Sequence, residues 1–144
     1  MILELAKDFF RIKAFAYTKG QLRFVASLHN IPSEFRMGTN TVVVNSIEDI
    51  EEVYQTYRTN LLQRGYDETT VDVAHIEEAK DGRLFSLVQY RNLDKSGDII
   101  SEEFASYFLE RLDQDILRIQ AVEFVDVPHP ELLAEWLKSE TSEL

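Results

Sequence analysis

The chain has 144 residues, the size of one domain and long enough to bury a core without covalent staples. An apolar content of 44% beside 28% charged residues excludes a disordered or fibrous chain. A net charge of −11 repels phosphate backbones and anionic lipid, which argues against nucleic-acid and membrane partners, and the lack of cysteine excludes disulfides, thiolate metal sites and a cysteine nucleophile.

Residues 2–17 have helical spacing, with Ile2, Leu5, Phe9, Ile12 and Ala16 on one stripe, widened by Leu3, Ala6, Phe10 and Tyr17. Glu4 and Asp8 interrupt the apolar pattern, so this segment does not read as a signal peptide. No apolar run approaches a membrane span, and the expectation is a cytoplasmic protein. Gly20 suits a helix stop. A short helix follows in QLRFVASLHN, burying Leu22, Val25, Ala26 and Leu28 and ending before Pro32. EFRMGTNTVVVN then suggests a hairpin, with turn chemistry at Gly38 and Asn40 and strand formers at Val42, Val43 and Val44.

Ser46 and Asp49 form a capping-box pattern, and Ile47, Ile50, Tyr54, Tyr57 and Leu61 share a stripe, which predicts a helix over 47–64 closed by Gly65. Period-two patterns follow. TTVDVAHIEEA puts Val71, Val73 and His75 on one parity; Asp81-Gly82 marks a turn; RLFSLVQYRNL is a strand, and so is ILRIQAVEFVDV near the end. HPELLAEWLKSE reads as a terminal helix with Pro130 at its start. Between the last two strands, residues 101–112 are ambiguous. Phe104, Tyr107, Phe108, Arg111 and Leu112 have helical spacing, and Glu102 and Glu103 suit a helix N-terminus. A short turn at Gly97 and the Asp113-Gln114-Asp115 cluster bound the segment as they would a strand.

The order of helix, short helix, hairpin, helix and long strands resembles the nuclear-transport-factor-2-like superfamily and, within it, the SnoaL-like proteins. The stretches that carry the likeness are MGTNTVVVNSIEDIEEVYQTYRTNLLQRGY and DGRLFSLVQYRNLDKSGDIISEEFASYFLER, over about residues 1–125. The resemblance implies that 101–112 is a strand and that the fold is α+β, a cystatin-like cone in which a curved antiparallel sheet wraps around N-terminal helices. It implies a domain over 1–127 and leaves 128–144 as a helical extension. It also implies a conical pocket for a small apolar ligand and a homodimer through the outer face of the sheet. Both strand parities are apolar, Phe85 and Leu87 against Leu84 and Val88, and Leu117 and Ile119 against Val122 and Phe124; such a sheet must cover both faces.

Candidate site residues follow from chemistry. His29, at the end of the second helix, suits a general base or a helix-capping group; His75 suits a base or a hydrogen-bonded, partly buried strand residue. His129, between two prolines, reads as exposed. Tyr17, Tyr54, Tyr57, Tyr90 and Tyr107 fall where side chains meet across helices and sheet; with His29 they are the expected ligand-binding set, although an ordinary core would use them too. Trp136 suits a lid or a dimer edge. No metal-ligand spacing, phosphate loop or serine elbow is present, and no cofactor is expected. Steroid-isomerising relatives would need an acidic base and a tyrosine–acid oxyanion hole. Tyr17 with Glu34 or Asp72 matches no such motif. The last strand offers Arg118, Gln120 and Glu123 where cyclase relatives have a histidine. The readings left open are a ligand-binding protein, an acid–base isomerase, cyclase or dehydratase, and an interaction module whose cone is filled by Phe9, Phe10, Phe15 and Phe24.

Overall fold

The computed structural model describes residues 2–125 apart from 38 and 114. The expected terminal helix, with His129 and Trp136, and the turn residue Gly38 lie outside the described residues. Among the described residues three helices and six strands follow in the order α1 (Ile2–Thr18), α2 (Leu22–Ser27), β1 (His29–Met37), β2 (Asn40–Val44), α3 (Ile47–Leu62), β3 (Tyr66–Glu78), β4 (Leu84–Asp94), β5 (Ile99–Asp113) and β6 (Ile116–Val125). The strands form one sheet in the order β2-β1-β6-β5-β4-β3. All neighbours are antiparallel except β1 and β6, which run parallel. The sheet is curved and unclosed, and the helices lie on its concave side, the α+β cone that the resemblance implied.

The ambiguous segment is β5, paired with β4 on one side and β6 on the other. Its helical spacing arises from two-sided burial. Ala105, Tyr107 and Leu109 join the core against the helices, whereas Phe108 meets Phe85 and Ala121 on the convex side. Apolar residues on both parities of one strand imitate a period of three to four.

Residues inserted into one strand of a pair bend the sheet and change which parity faces inward. Ala74 is extra in β3, between the pairs Val73–Val88 and His75–Leu87, so Val71 and Val73 point to the core and the next inward residue is Ile76. Gln120 is extra in β6, between Ile119–Leu109 and Ala121–Phe108. Leu117, Ile119, Val122 and Phe124 therefore all serve the concave side, a correction to the expectation that they split between faces.

The first helix is rotated by about one residue from its apolar stripe. Ala6, Phe10, Lys13, Ala14 and Ala16 are buried, and Ile12 is 50% exposed. The second helix stops at Ser27, and the segment from His29 through Pro32 is strand β1, irregular between His29 and Glu34, where Pro32 is tolerated without a ladder donor. The third helix agrees with its cap: the Ser46 hydroxyl accepts from the Asp49 N–H at 3.1 Å. Side chains such as Phe10, Ile50 and Leu109 are fully buried, each worth roughly 1.5–3 kcal/mol of transfer free energy.

Arg58 of α3 ties the helices together. Its guanidinium donates to the carbonyls of Tyr17 and Thr18 at 2.9 Å each, covering the end of α1. Gly20 then leaves the helix at φ +77°, with the Arg58 guanidinium 3.3 Å from where a Cβ would stand. Gly20→Ala should destabilise the fold by about 1–2 kcal/mol, from the left-handed backbone alone, with an added loss if Arg58 is displaced. Urea unfolding of the two proteins checks this; equal midpoints would mean that the turn relaxes freely.

Candidate functional site

The concave side of the sheet and the inner faces of α1 and α3 enclose a pocket. Its floor is buried: Lys13 and Ala14 from α1, Phe35 from β1, Tyr54 from α3, and Thr69, Tyr90, Asn92 and Tyr107 from the sheet. Its rim is half-buried: Tyr17, Val53, Tyr57, Glu103 and Phe124. The cavity volume is about 50 Å³. A water needs roughly 10–15 Å³ on this measure, so the floor has room for a few waters or for the polar head of a small ligand. A larger molecule would extend past the rim.

Lys13, at the centre of the floor, is a residue that sequence patterning did not single out. It is 4% exposed. Its Nζ lies 3.3 Å from the Tyr90 hydroxyl and 3.4 Å from that of Tyr107, and it stands over the rings of Tyr54, Tyr90 and Tyr107 at 4.9, 5.0 and 5.5 Å. The two hydroxyls are 2.9 Å apart. Among the described residues no carboxylate comes within ion-pair distance of this amine. Burial lowers its pKa from 10.5 to about 7, outweighing the charge of Glu103, which acts the other way. Burial also raises the Glu103 carboxyl, against the opposing charges of Lys13 and Arg64. The phenols of Tyr54, Tyr90 and Tyr107 are held up by burial and stay protonated donors at neutral pH. A signal for Lys13 existed: Ala6, Phe10, Lys13 and Tyr17 follow helical steps, but a search restricted to apolar types passes over a lysine on the buried stripe.

His29 does not line the pocket. It sits behind Tyr54, 4% exposed, with Nε2 2.6 Å from the Tyr54 hydroxyl and Nδ1 3.0 Å from the Ser33 hydroxyl, and its ring stacks on Phe35. Ser33 in turn reaches the Gln120 carbonyl at 3.4 Å. Every group is satisfied when Nδ1–H donates to Ser33 and Nε2 accepts from Tyr54. Burial, with Lys13 nearby, lowers the imidazole to about 3, so it is neutral at pH 7. It holds Tyr54 in place from β1, not from a helix end.

His75 is on the other side of the sheet, exposed, with Nε2 3.6 Å from Glu77. The bulge at Ala74 turns it outward, which corrects the parity that grouped it with Val71 and Val73. Glu34 pairs with Arg36 and Asp72 with Arg91, both away from the pocket. Tyr17, Tyr54, Tyr57, Tyr90 and Tyr107 come together at the pocket as a set. The four phenylalanines weighed as a filling do not act as one: Phe10 is fully buried against Tyr107, whereas Phe15 is 60% and Phe24 45% exposed. A polar ladder completes the wall, with Thr69 donating to Asn92 at 2.7 Å and Asn92 donating to Ser101 at 3.0 Å. Among the described residues no three histidines or carboxylates gather as a metal cluster.

The amine shift has a stability consequence with a definite sign. Between pH 7 and 10.5 the unfolded chain holds a Lys13 proton that the folded chain has released, so stability rises with pH in that window. Lys13→Met removes this cost. The variant should be more stable than the parent at pH 7 by on the order of a few kcal/mol, and the gain should shrink towards pH 10.5. Denaturant unfolding across this range measures it; a less stable variant at pH 7 would show that the amine holds the fold together.

A family profile described as "NTF2-like protein (DUF6841)" matches residues 4–126. Among solved structures, Aln2 from a Streptomyces species is similar at 17% identity and a TM-score of 0.66, covering 90% of this chain and 91% of that chain. ActVI-ORFA from Streptomyces coelicolor is similar at 15% and 0.65, covering 90% and 98%. An NTF-2-like protein of unknown function from Shewanella oneidensis is similar at 13% and 0.65, covering 88% and 100%. No curated protein sequence matches the chain. Identities this low speak to the fold, and it is the profile, spanning nearly all of the described helices and strands, that places this chain in the NTF2-like family.

Proposed function

We propose that this protein binds a small, mainly apolar molecule in the cone, with an oxygen of that molecule directed at Lys13, Tyr90 and Tyr107. One observation carries the reading: the floor of a tyrosine-lined pocket holds an amine and two phenols within hydrogen-bond distance of one another, and no carboxylate neutralises the amine among the described residues. Such a cluster offers several donors to one acceptor, and the aromatic walls favour an apolar body. The fit is to a carbonyl or carboxylate oxygen. Tyr54 completes the floor, supported from behind by His29, and Tyr17 and Tyr57 supply the aromatic rim.

Titration with cyclohexanone, followed by NMR of the tyrosine ring resonances, tests this. Saturable shifts should be confined to the pocket tyrosines and weakened about tenfold in Lys13→Met, the worth of one hydrogen bond of about 1.4 kcal/mol. Shifts that fail to saturate, or that ignore the substitution, would end the proposal.

Acid–base catalysis on such a ligand, as an isomerase, cyclase or dehydratase, is the second reading. It is favoured by two groups on one pocket, Lys13 and Glu103, whose environments draw both towards neutrality. The candidate base is then Glu103 or Lys13 in place of His29 or His75.

The proposal includes a cytoplasmic homodimer joined through the convex face of the sheet. What supports the interface is a groove lined by Ile31, Pro32, Val43, Phe108 and Ala121, edged by Glu34, Arg36, Arg83 and Glu110. Both charge signs on one patch permit self-complementary pairing. Sedimentation equilibrium should return twice the chain mass, and Val43→Glu should reduce it; a monomer at all concentrations would remove the interface.

A further inference from the structure

Lysine is an unexpected residue for the floor of an apolar pocket. A methionine or leucine fills that space without the cost of desolvating an amine. A structural lysine would have a carboxylate partner, and none lies within 4 Å of Lys13 among the described residues. Its contacts are three phenol rings and two phenol hydroxyls, which solvate an ammonium poorly. Lys7, also on α1, is exposed to water.

We infer that Lys13 is a nucleophile that forms an imine with an aldehyde or ketone bound in the cone, with Tyr90 and Tyr107 moving the protons. The inference rests on the binding reading above and names the class of its ligand. The geometry suits the step because the amine and both hydroxyls border one cavity, and an oxygen placed beside the phenols puts its carbon next to Nζ. The neutral nitrogen attacks the carbonyl carbon, a C–N bond forms, and the carbonyl π pair moves to oxygen. That oxygen takes a proton from one phenol, which is restored from the ammonium just formed. Nitrogen then expels the oxygen as water; the second proton travels from nitrogen through the same hydroxyls. Amine and carbonyl give imine and water, with no oxidant or reductant. The lowered amine basicity agrees with this: at pH 7 the neutral fraction is on the order of a thousand times that of an exposed lysine. Glu103, the charged group that shares the pocket, stands off from ion-pair distance and leaves the nitrogen lone pair free.

The test uses the whole protein and limiting propanal at pH 7 with sodium cyanoborohydride, which adds hydride to an imine carbon and fixes the product as a secondary amine. Peptide mass mapping reads the modified residues. Lys13 should be propylated at least tenfold ahead of Lys7 and Lys19, and Tyr107→Phe should slow that labelling while leaving the others unchanged. Equal or lower labelling of Lys13 would overturn the inference. The two readings separate cleanly. Saturable cyclohexanone shifts at the pocket tyrosines without selective labelling of Lys13 would leave binding intact and remove the imine. Loss of both would remove the pocket reading as well.

Discussion

A lysine amine removed from water must either find a counter-charge or release its proton, and among the described residues Lys13 meets phenols instead of a carboxylate. That single constraint links the fold to the chemistry of the pocket. The amine is there because α1 lies in the concavity of the sheet with Ala6, Phe10 and Ala14 turned inward. Lys13, three residues on from Phe10, falls on that buried side, whereas Arg11 and Ile12 stay exposed. Packing of Phe10 against Tyr107, with ring centroids 4.7 Å apart, brings Nζ to the same phenol that Phe10 touches. The apolar contact thus carries the polar one, and its transfer free energy offsets the cost of desolvating the amine.

The curvature of the sheet does the rest. Long strands of 13, 11, 15 and 10 residues would make a broad surface if flat. Inserted residues at Ala74 and Gln120 bend them and re-aim the side chains beyond each bulge. Regular alternation along β4 and β5, whose register is unbroken from Leu84–Leu109 to Asn92–Ser101, puts Tyr90, Asn92, Glu103 and Tyr107 on one concave wall. The bulges send His75 outward and set Ala121 beside Phe85 and Phe108 in a separate apolar cluster on the convex side. A single layer thereby serves two surfaces of different chemistry.

Two buried titratable groups in the same region play opposite parts. His29 has both ring nitrogens bonded, to Ser33 and Tyr54, and is kept neutral by its surroundings. It fixes a tyrosine and takes no place at the cavity. Lys13 has contacts that can be exchanged for those of a ligand, since phenol hydroxyls rotate and the cavity adjoins them. The contrast follows from satisfaction of hydrogen-bonding capacity: a fully bonded imidazole is structural, and an amine with weak partners is available.

Much of this was open to the sequence. Helix α3 followed from Ser46, Asp49 and one apolar stripe, because capping and periodicity are local and need no partner to be recognised. The buried set of α2 and the convergence of five tyrosines followed from spacing and element order in the same way. The strand at 99–113 needed the family resemblance, since burial on both faces gives it a helical period. What tertiary structure alone decided was direction. Whether Leu117 and Phe124 share a face, whether His75 looks in or out, and which side of α1 is dry all depend on bulges and on the docking angle of a helix. Those are properties of paired strands and packed layers. They shift side-chain orientation by one residue, and one residue is the difference between a lysine in water and a lysine at the bottom of a pocket.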